Sequence, residues 1–113
     1  MRMGFPGAAA ALDQLIEWLE ERGYSGIDHL SVCCPQQLSG RTPNGALFYY
    51  RFRRGSGSLI IDDRADDIDE LIGLRHSDDV RAEIRQIPSG EYDGWMPFEE
   101  AAKMFEAIKE LGL

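Results

Sequence analysis

The segment from Ala46 to Arg53 constrains the fold most strongly, because its side chains alternate in the way of a half-buried β-strand. The residues that share one face of this strand are aromatic: Phe48, Tyr50 and Phe52. A Gly-Ser stretch at positions 55–58 can adopt positive φ, and the apolar, β-branched run Leu59–Ile61 follows it. The two runs and the turn between them predict a β-hairpin.

Two long helices are predicted near the ends of the chain. Ala8 to Arg22 carries apolar residues at three- and four-residue spacing, and Gly23 follows where a left-handed C-terminal cap is needed. Pro97 suits the first position of a last helix, which has an apolar stripe of the same spacing and runs to about Leu111. We therefore expect each helix to pack one face on the core.

Two further strands are predicted on either side of this hairpin. Ile27 to Cys34 alternates apolar and polar residues, as a strand does. Gln36 to Gly45 is rich in turn-forming residues and is expected to be a loop. Val80 to Ile87 also alternates, although some of its apolar residues share a helical face, and we favour a strand over a helix there.

These elements predict the order α-β-β-β-α-β-α and an α+β fold. Strands that are joined by hairpins and flanked by terminal helices indicate an antiparallel sheet of about four strands, with the N-terminal and C-terminal helices packed on one face. A chain of 113 residues, 43% of them hydrophobic, is sufficient for one compact domain. We expect a single domain over residues 1–113, with residues 1–7 flexible.

The net charge argues against one class of partner, the nucleic acids. Twelve Lys and Arg residues against twenty Asp and Glu residues give a formal charge of -8. A chain of this charge repels the phosphate backbone of nucleic acids. We therefore expect no direct binding to DNA or RNA.

Membrane, disulfide and metal roles are also not expected. No apolar run approaches the roughly 20 residues that cross a bilayer, and the N-terminus lacks a secretory pattern, so we expect a cytoplasmic protein. Cys33 and Cys34 are adjacent and cannot link distant segments. His29 and Cys33 would lie about 13 Å apart along a strand, too far for one metal ion. We expect neither a metal nor a cofactor.

No residue is assigned a catalytic role. The chain has no Gly-x-Ser-x-Gly elbow and no serine–lysine motif, and its carboxylates are too numerous to distinguish an acid from a base. The acids after the hairpin do not match a calcium-binding loop, which needs ligands and a glycine at positions that other residues occupy. We therefore expect a protein that is not an enzyme.

Acidic residues are concentrated in one segment. Residues 62–79 hold eight acids and two arginines, whereas residues 29–61 hold four arginines and no acid. Asp62 to Ile72 has helical spacing, with Asp62 or Asp63 available as N-cap. Four acids on this helix form a candidate partner-binding surface: Asp66, Asp67, Asp69 and Glu70. The alternative is a solvated helix face whose acids favour the positive end of the helix dipole.

A loop at residues 90–96 provides a second candidate surface. It carries Tyr92 and Asp93 between Gly90 and Gly94, and Trp95 directly after Gly94. Large aromatic side chains on a glycine-bounded loop are typical of interface hot spots. The alternative is that Trp95 packs under the last helix.

The acidic segment and the aromatic loop together predict a small protein-binding module. We expect an inhibitor, immunity-type or adaptor factor that docks on a basic surface of another protein, as a monomer or a homodimer. One alternative is a domain, enzymatic or not, that binds a small molecule, nucleotide or other anion through the outward face of the hairpin: Tyr49, Arg51, Arg53 and Arg54. The other alternative is a structural subunit of a homo-oligomer.

Overall fold

The computed structural model describes residues 6–31, 36–53, 56–76, 82–86 and 98–110. The elements in these ranges are α1 (Pro6–Glu21), β1 (Ser25–Ser31), β2 (Gln36–Arg41), β3 (Leu47–Arg53), β4 (Ser56–Asp62), α2 (Ile68–His76), β5 (Ala82–Gln86) and α3 (Phe98–Glu110). The strands form one antiparallel sheet, in which they lie side by side in chain order. The predicted α+β class with an antiparallel sheet is therefore confirmed.

The main core lies between the sheet and the two terminal helices. The three aromatic side chains predicted to share a face of β3 are fully buried: Phe48, Tyr50 and Phe52. They pack against apolar residues of α1 and α3: Leu12, Leu15, Leu19, Met104, Phe105 and Ile108. Phe105 stands edge-on to Phe48 with ring centroids 5.3 Å apart, an arrangement that aromatic pairs prefer. The helices of the two chain ends therefore cover the same side of the sheet.

A smaller core lies on the opposite side of the sheet, under α2. Leu47 of β3 and Ile60 of β4 pack there against Ala65 and Leu71. Removal of these side chains from water stabilises the position of α2 by about 1.5–3 kcal/mol for each large residue. The sheet is thus covered on both sides, and α2 occupies the side that carries the outward face of β3.

Residues 36–45 require the main correction to the predicted fold. Gln36–Arg41 is not a loop but the inner strand β2, which pairs with both β1 and β3. Leu38 lies opposite Tyr50, and both side chains are fully buried. Of the turn-forming residues in this segment, Ser39 and Gly40 belong to the strand, whereas Pro43, Asn44 and Gly45 lie in the turn after it. With this added strand, the described sheet has five strands rather than about four.

Gly40 lies inside β2 because the core leaves no room for a side chain at this position. A Cβ added to Gly40 would lie 2.8 Å from Cε2 of Phe48 and 3.1 Å from the backbone oxygen of Ser25. The turn between β2 and β3 is shorter than predicted: the amide of Thr42 donates to the carbonyl of Ala46 at 2.8 Å, and Gly45 has a φ of 87°. Gly40 is therefore a packing residue, and Gly45 is the residue whose backbone requires glycine.

The start of α2 also differs from the prediction. The helix begins at Ile68, and the carboxylate of Asp67 accepts a hydrogen bond from the amide of Glu70 at 2.9 Å, so Asp67 is the N-cap. Asp62 is instead a fully buried residue of β4, whose carboxylate accepts from the amide and the guanidinium of Arg64 at 2.6–2.9 Å. Asp62 and Asp63 are therefore wrong as predicted caps.

Other predicted elements are confirmed, with small differences in their bounds. The first helix begins at Pro6, and Gly23 follows its end with a φ of 93°. The ambiguous segment after α2 contains the strand β5, in which Ile84 pairs with Leu59 of β4. Cys33 and Cys34 lie outside the described residues.

The pairing of the edge strand β1 with β2 is irregular. Asp28 lies opposite Ser39, but the register shifts between Ser25 and Asp28 and again between His29 and Ser31. Register shifts of this kind interrupt the regular ladder of backbone hydrogen bonds with the neighbouring strand. None of the helices in the described ranges is long and apolar enough to cross a membrane.

Candidate functional site

The four acids of the predicted partner-binding helix lie together at the N-terminal end of α2. Asp66 and Asp67 precede the helix, and Asp69 and Glu70 lie in its first turn. All four side chains are exposed. The N-terminal end of a helix carries a partial positive charge, which makes it a favourable place for carboxylates. The structure therefore brings the predicted residues to one surface.

An open groove of about 600 Å³ separates this end of α2 from strands β1 and β2. Asp67 and Asp69 line it at the N-terminal end of α2, and Asp28 lines it from β1. We call this feature, with these three carboxylates, the acidic groove. Sequence reasoning missed Asp28, because only the pairing of β1 with β2 brings it beside residues almost forty positions later in the chain.

Among the described residues that line the acidic groove, Arg41 of β2 is the one cation. Its guanidinium donates hydrogen bonds to three backbone carbonyls: those of Gly45 (3.2 Å), Ala65 (3.5 Å) and Asp66 (3.3 Å). These contacts attach the loop before α2 to the sheet and so fix the backbone that carries Asp66 and Asp67. Three carboxylates against one guanidinium leave the groove negative.

Exposed carboxylates also lie on the other side of the molecule. Helix α1 carries four of them: Asp13, Glu17, Glu20 and Glu21. Negative charge is therefore not confined to α2. What distinguishes the acidic groove is that carboxylates from two separate elements converge around a concave surface.

The alternative, anion-binding face is described only in part. Tyr49 and Arg51 lie on the outward face of β3, and the hydroxyl of Tyr49 donates to Oε1 of Gln37 at 2.8 Å. Nε of Arg51 is buried and has no hydrogen-bond acceptor among the described residues. That nitrogen is a single unpartnered donor, whereas the acidic groove has a larger set of converging groups.

Several predicted site residues fall outside the part of the chain that the structure describes. These are Tyr92, Asp93, Trp95 and Arg54, while Arg53 is placed only by its backbone, as the last residue of β3. Within the described ranges, no group of three or more His, Cys, Asp or Glu residues is arranged to hold a metal ion.

A cleft of about 390 Å³ lies on the side of α1 and α3, between the ends of these helices and the β2–β3 turn. Its walls include the aromatic residues Trp18, Tyr24 and Phe105, and we call it the aromatic cleft. Burial, together with the charge of Glu106, raises the pKa of Tyr24 from 10.0 to about 12. The sequence predicts Trp18 only as part of an apolar stripe, because the cleft forms only when the last helix packs beside the first.

Its polar residues include Arg22, Glu106 and Lys109. The guanidinium of Arg22 lies 3.9 Å from the centroid of the Trp18 ring. The i, i+4 spacing of Trp18 and Arg22 is the one signal in the sequence that could have indicated this cleft.

Comparison of the chain with protein-family models, with curated proteins and with solved structures found no match. No residue of this chain therefore takes a role from a relative. Function must be inferred from the charges, contacts and concave surfaces of the chain itself.

Proposed function

We propose that this protein is a binding module whose acidic groove receives a basic segment of another protein. The observation that carries the proposal is the convergence of Asp28 from β1 with Asp67 and Asp69 at the N-terminal end of α2 around one open groove. Asp66 and Glu70 extend the negative surface beside it. An inhibitor, immunity-type or adaptor factor would use such a surface to cover a basic site on its target.

The chemistry of the groove favours a lysine- or arginine-rich partner. Ionised carboxylates only accept hydrogen bonds, and guanidinium groups can donate two parallel bonds to one carboxylate. The groove is wide open rather than enclosed, which suits side chains projecting from another protein better than a small ligand that must be surrounded. Carboxylates gathered on one surface also accelerate association with a basic partner at low salt.

The groove is held in shape before any partner binds. Arg41 bonds to the carbonyls of Ala65 and Asp66, and Asp67 caps α2 through the amide of Glu70. Groups fixed in this way lose little conformational freedom on binding, which favours affinity. Asp67 therefore has two roles, since it shapes the helix end and contributes charge to the groove.

The test compares two variants that lose the same number of charges. The first replaces Asp66, Asp67 and Asp69 by asparagine and Glu70 by glutamine, and it keeps the cap because asparagine caps a helix about as well as aspartate. The control makes the corresponding changes on α1, at Asp13, Glu17, Glu20 and Glu21. Both variants and the unmodified chain are titrated with a short peptide of alternating arginine and serine, and binding is followed by NMR at low and high salt.

We expect the peptide to shift the resonances of residues 25–28, 39–41 and 66–70. The α2 variant should bind the peptide several times more weakly than the α1 variant and should lose most of the salt dependence of binding. Equal loss in the two variants would mean that the peptide senses only the overall charge, and the proposal would then be wrong.

A further inference from the structure

We propose that the aromatic cleft binds a small planar aromatic acid with a single negative charge. The cleft lies on the side of α1 and α3, whereas the acidic groove lies on the side of α2. The two proposals can therefore fail independently.

Two walls of the aromatic cleft are packed into the main core. Tyr24 is 9% exposed and Phe105 is 2% exposed. Their rings stand edge-to-face with centroids 5.8 Å apart, and Phe105 is held in turn by Phe48. A volume of about 390 Å³ is near the lower end of the range of roughly 300–1,000 Å³ for ligand pockets, so a ligand of one or two rings is appropriate.

Hydrogen-bond donors predominate among the polar groups of the cleft. One guanidinium nitrogen of Arg22 donates to the carbonyl of Trp18 at 3.1 Å. Its other guanidinium nitrogens have no hydrogen-bond acceptor among the described residues. The ammonium of Lys109 has no ion-pair partner in the described ranges, and the hydroxyl of Tyr24 has no hydrogen-bond partner there. Because its pKa is about 12, Tyr24 keeps its proton at neutral pH. Unused donors favour a ligand with acceptor atoms, such as a carboxylate.

The charges of the cleft select an anion against a cation. Arg22 and Lys109 give two positive charges against the one negative charge of Glu106, in a chain whose overall charge is -8. Aromatic walls can also bind organic cations through the ring face. In this cleft, however, the guanidinium of Arg22 already lies over the face of Trp18, 3.9 Å from its centroid. A cationic ligand would meet two like charges and a ring face that is already in contact with another cation.

The experiment uses three probes of nearly the same shape: indole-3-acetate, its neutral amide, and the cation tryptamine. Calorimetric titration of the full chain should show saturable binding of the acetate, weaker binding of the amide and the weakest binding of tryptamine. Because all three probes share the indole ring, the order of their affinities reports the charge preference of the cleft. Failure of the acetate to saturate, or tighter binding of either other probe, would overturn the proposal.

Variants then locate the binding site. Arg22→Gln and Lys109→Gln should each weaken acetate binding by about tenfold, the usual effect of a lost charged hydrogen bond. Glu106→Gln should strengthen it severalfold, because a carboxylate that repels the ligand is removed. Lys103→Gln, an equal charge change at an exposed position of α3 that does not line the cleft, should leave the affinity unchanged. If Lys103→Gln weakened binding as much as Arg22→Gln, or if Glu106→Gln weakened it, the site would be elsewhere and the proposal wrong.

Discussion

At the scale of single residues, two glycines have opposite relations to their surroundings. Gly40 faces the ring of Phe48, which is fully buried, so an added methyl group has no space. Gly73 lies in α2, where an added Cβ meets nothing within 4 Å. The same substitution should therefore have opposite effects at the two positions.

We predict that Gly40→Ala lowers the free energy of unfolding by about 1–3 kcal/mol, the usual cost of an overpacked core. Gly73→Ala should raise it by up to about 1 kcal/mol, because alanine favours a helix over glycine. Urea denaturation of both variants measures the difference. A Gly40→Ala protein as stable as the unmodified chain would contradict the close approach of Phe48 to β2.

Sequence reasoning could identify some of these residues and not others. The alternation in β3 predicted the burial of Phe48, Tyr50 and Phe52, because the period of a strand is visible in the residues themselves. The sequence predicts a loop at Gly40, because the sequence does not distinguish a glycine needed for close packing from one needed for positive φ. Only the ring that lies opposite distinguishes them.

At the scale of elements, α2 depends on the cap at its first turn as well as on its apolar stripe. It is a short helix with few buried side chains, and its N-cap, Asp67, satisfies one of the amides that its first turn leaves free. The sequence showed several aspartates near this point. It could not show which one would cap the helix, because Asp62 is drawn into β4 by pairing with Leu47.

We predict that Asp67→Ala destabilises the protein by about 1 kcal/mol through loss of the cap, whereas Asp67→Asn leaves its stability nearly unchanged. Amide hydrogen exchange should show faster opening of α2 in the alanine variant. Asp66→Ala is the matched control, since Asp66 is exposed and its side chain caps nothing in the described structure; its effect should stay within about 0.5 kcal/mol. Equal effects of Asp67→Ala and Asp67→Asn would exclude the cap.

At the scale of the whole molecule, two tyrosines between the sheet and the terminal helices link stability to alkaline pH. Burial raises the pKa of Tyr50 above its ordinary value, and its hydroxyl donates to the buried Gln36 at 2.9 Å. Burial and the nearby Glu106 raise the pKa of Tyr24 from 10.0 to about 12. Each phenol therefore holds its proton more tightly in the folded protein than in the unfolded chain.

The contribution of these phenols to stability is complete below pH 10 and is lost as the pH rises through their folded pKa values. We predict that the free energy of unfolding falls between pH 10 and 12 and that Tyr24→Phe makes this fall less steep. Denaturation at a series of pH values measures both slopes. If the two proteins had the same slope, Tyr24 would titrate alike in the folded and unfolded states, contrary to its burial.

The overall architecture was largely predictable, and the concave surfaces were not. Terminal helices, a hairpin and antiparallel pairing follow from local periodicity, which gave the α+β class. The acidic groove and the aromatic cleft each depend on residues from distant segments, such as Asp28 beside Asp67 and Tyr24 beside Glu106. Local patterns contain no information about which segments become neighbours.

The uneven register of β1 determines how another chain could meet this edge of the sheet. A straight edge strand presents evenly spaced amides and carbonyls, and a foreign strand can continue the sheet along it. In β1 the two shifts break that spacing, so the backbone offers no continuous template for such an addition. The irregular register that hinders aggregation along this edge therefore means that the side chains of β1, and not its backbone, determine which chain can bind there.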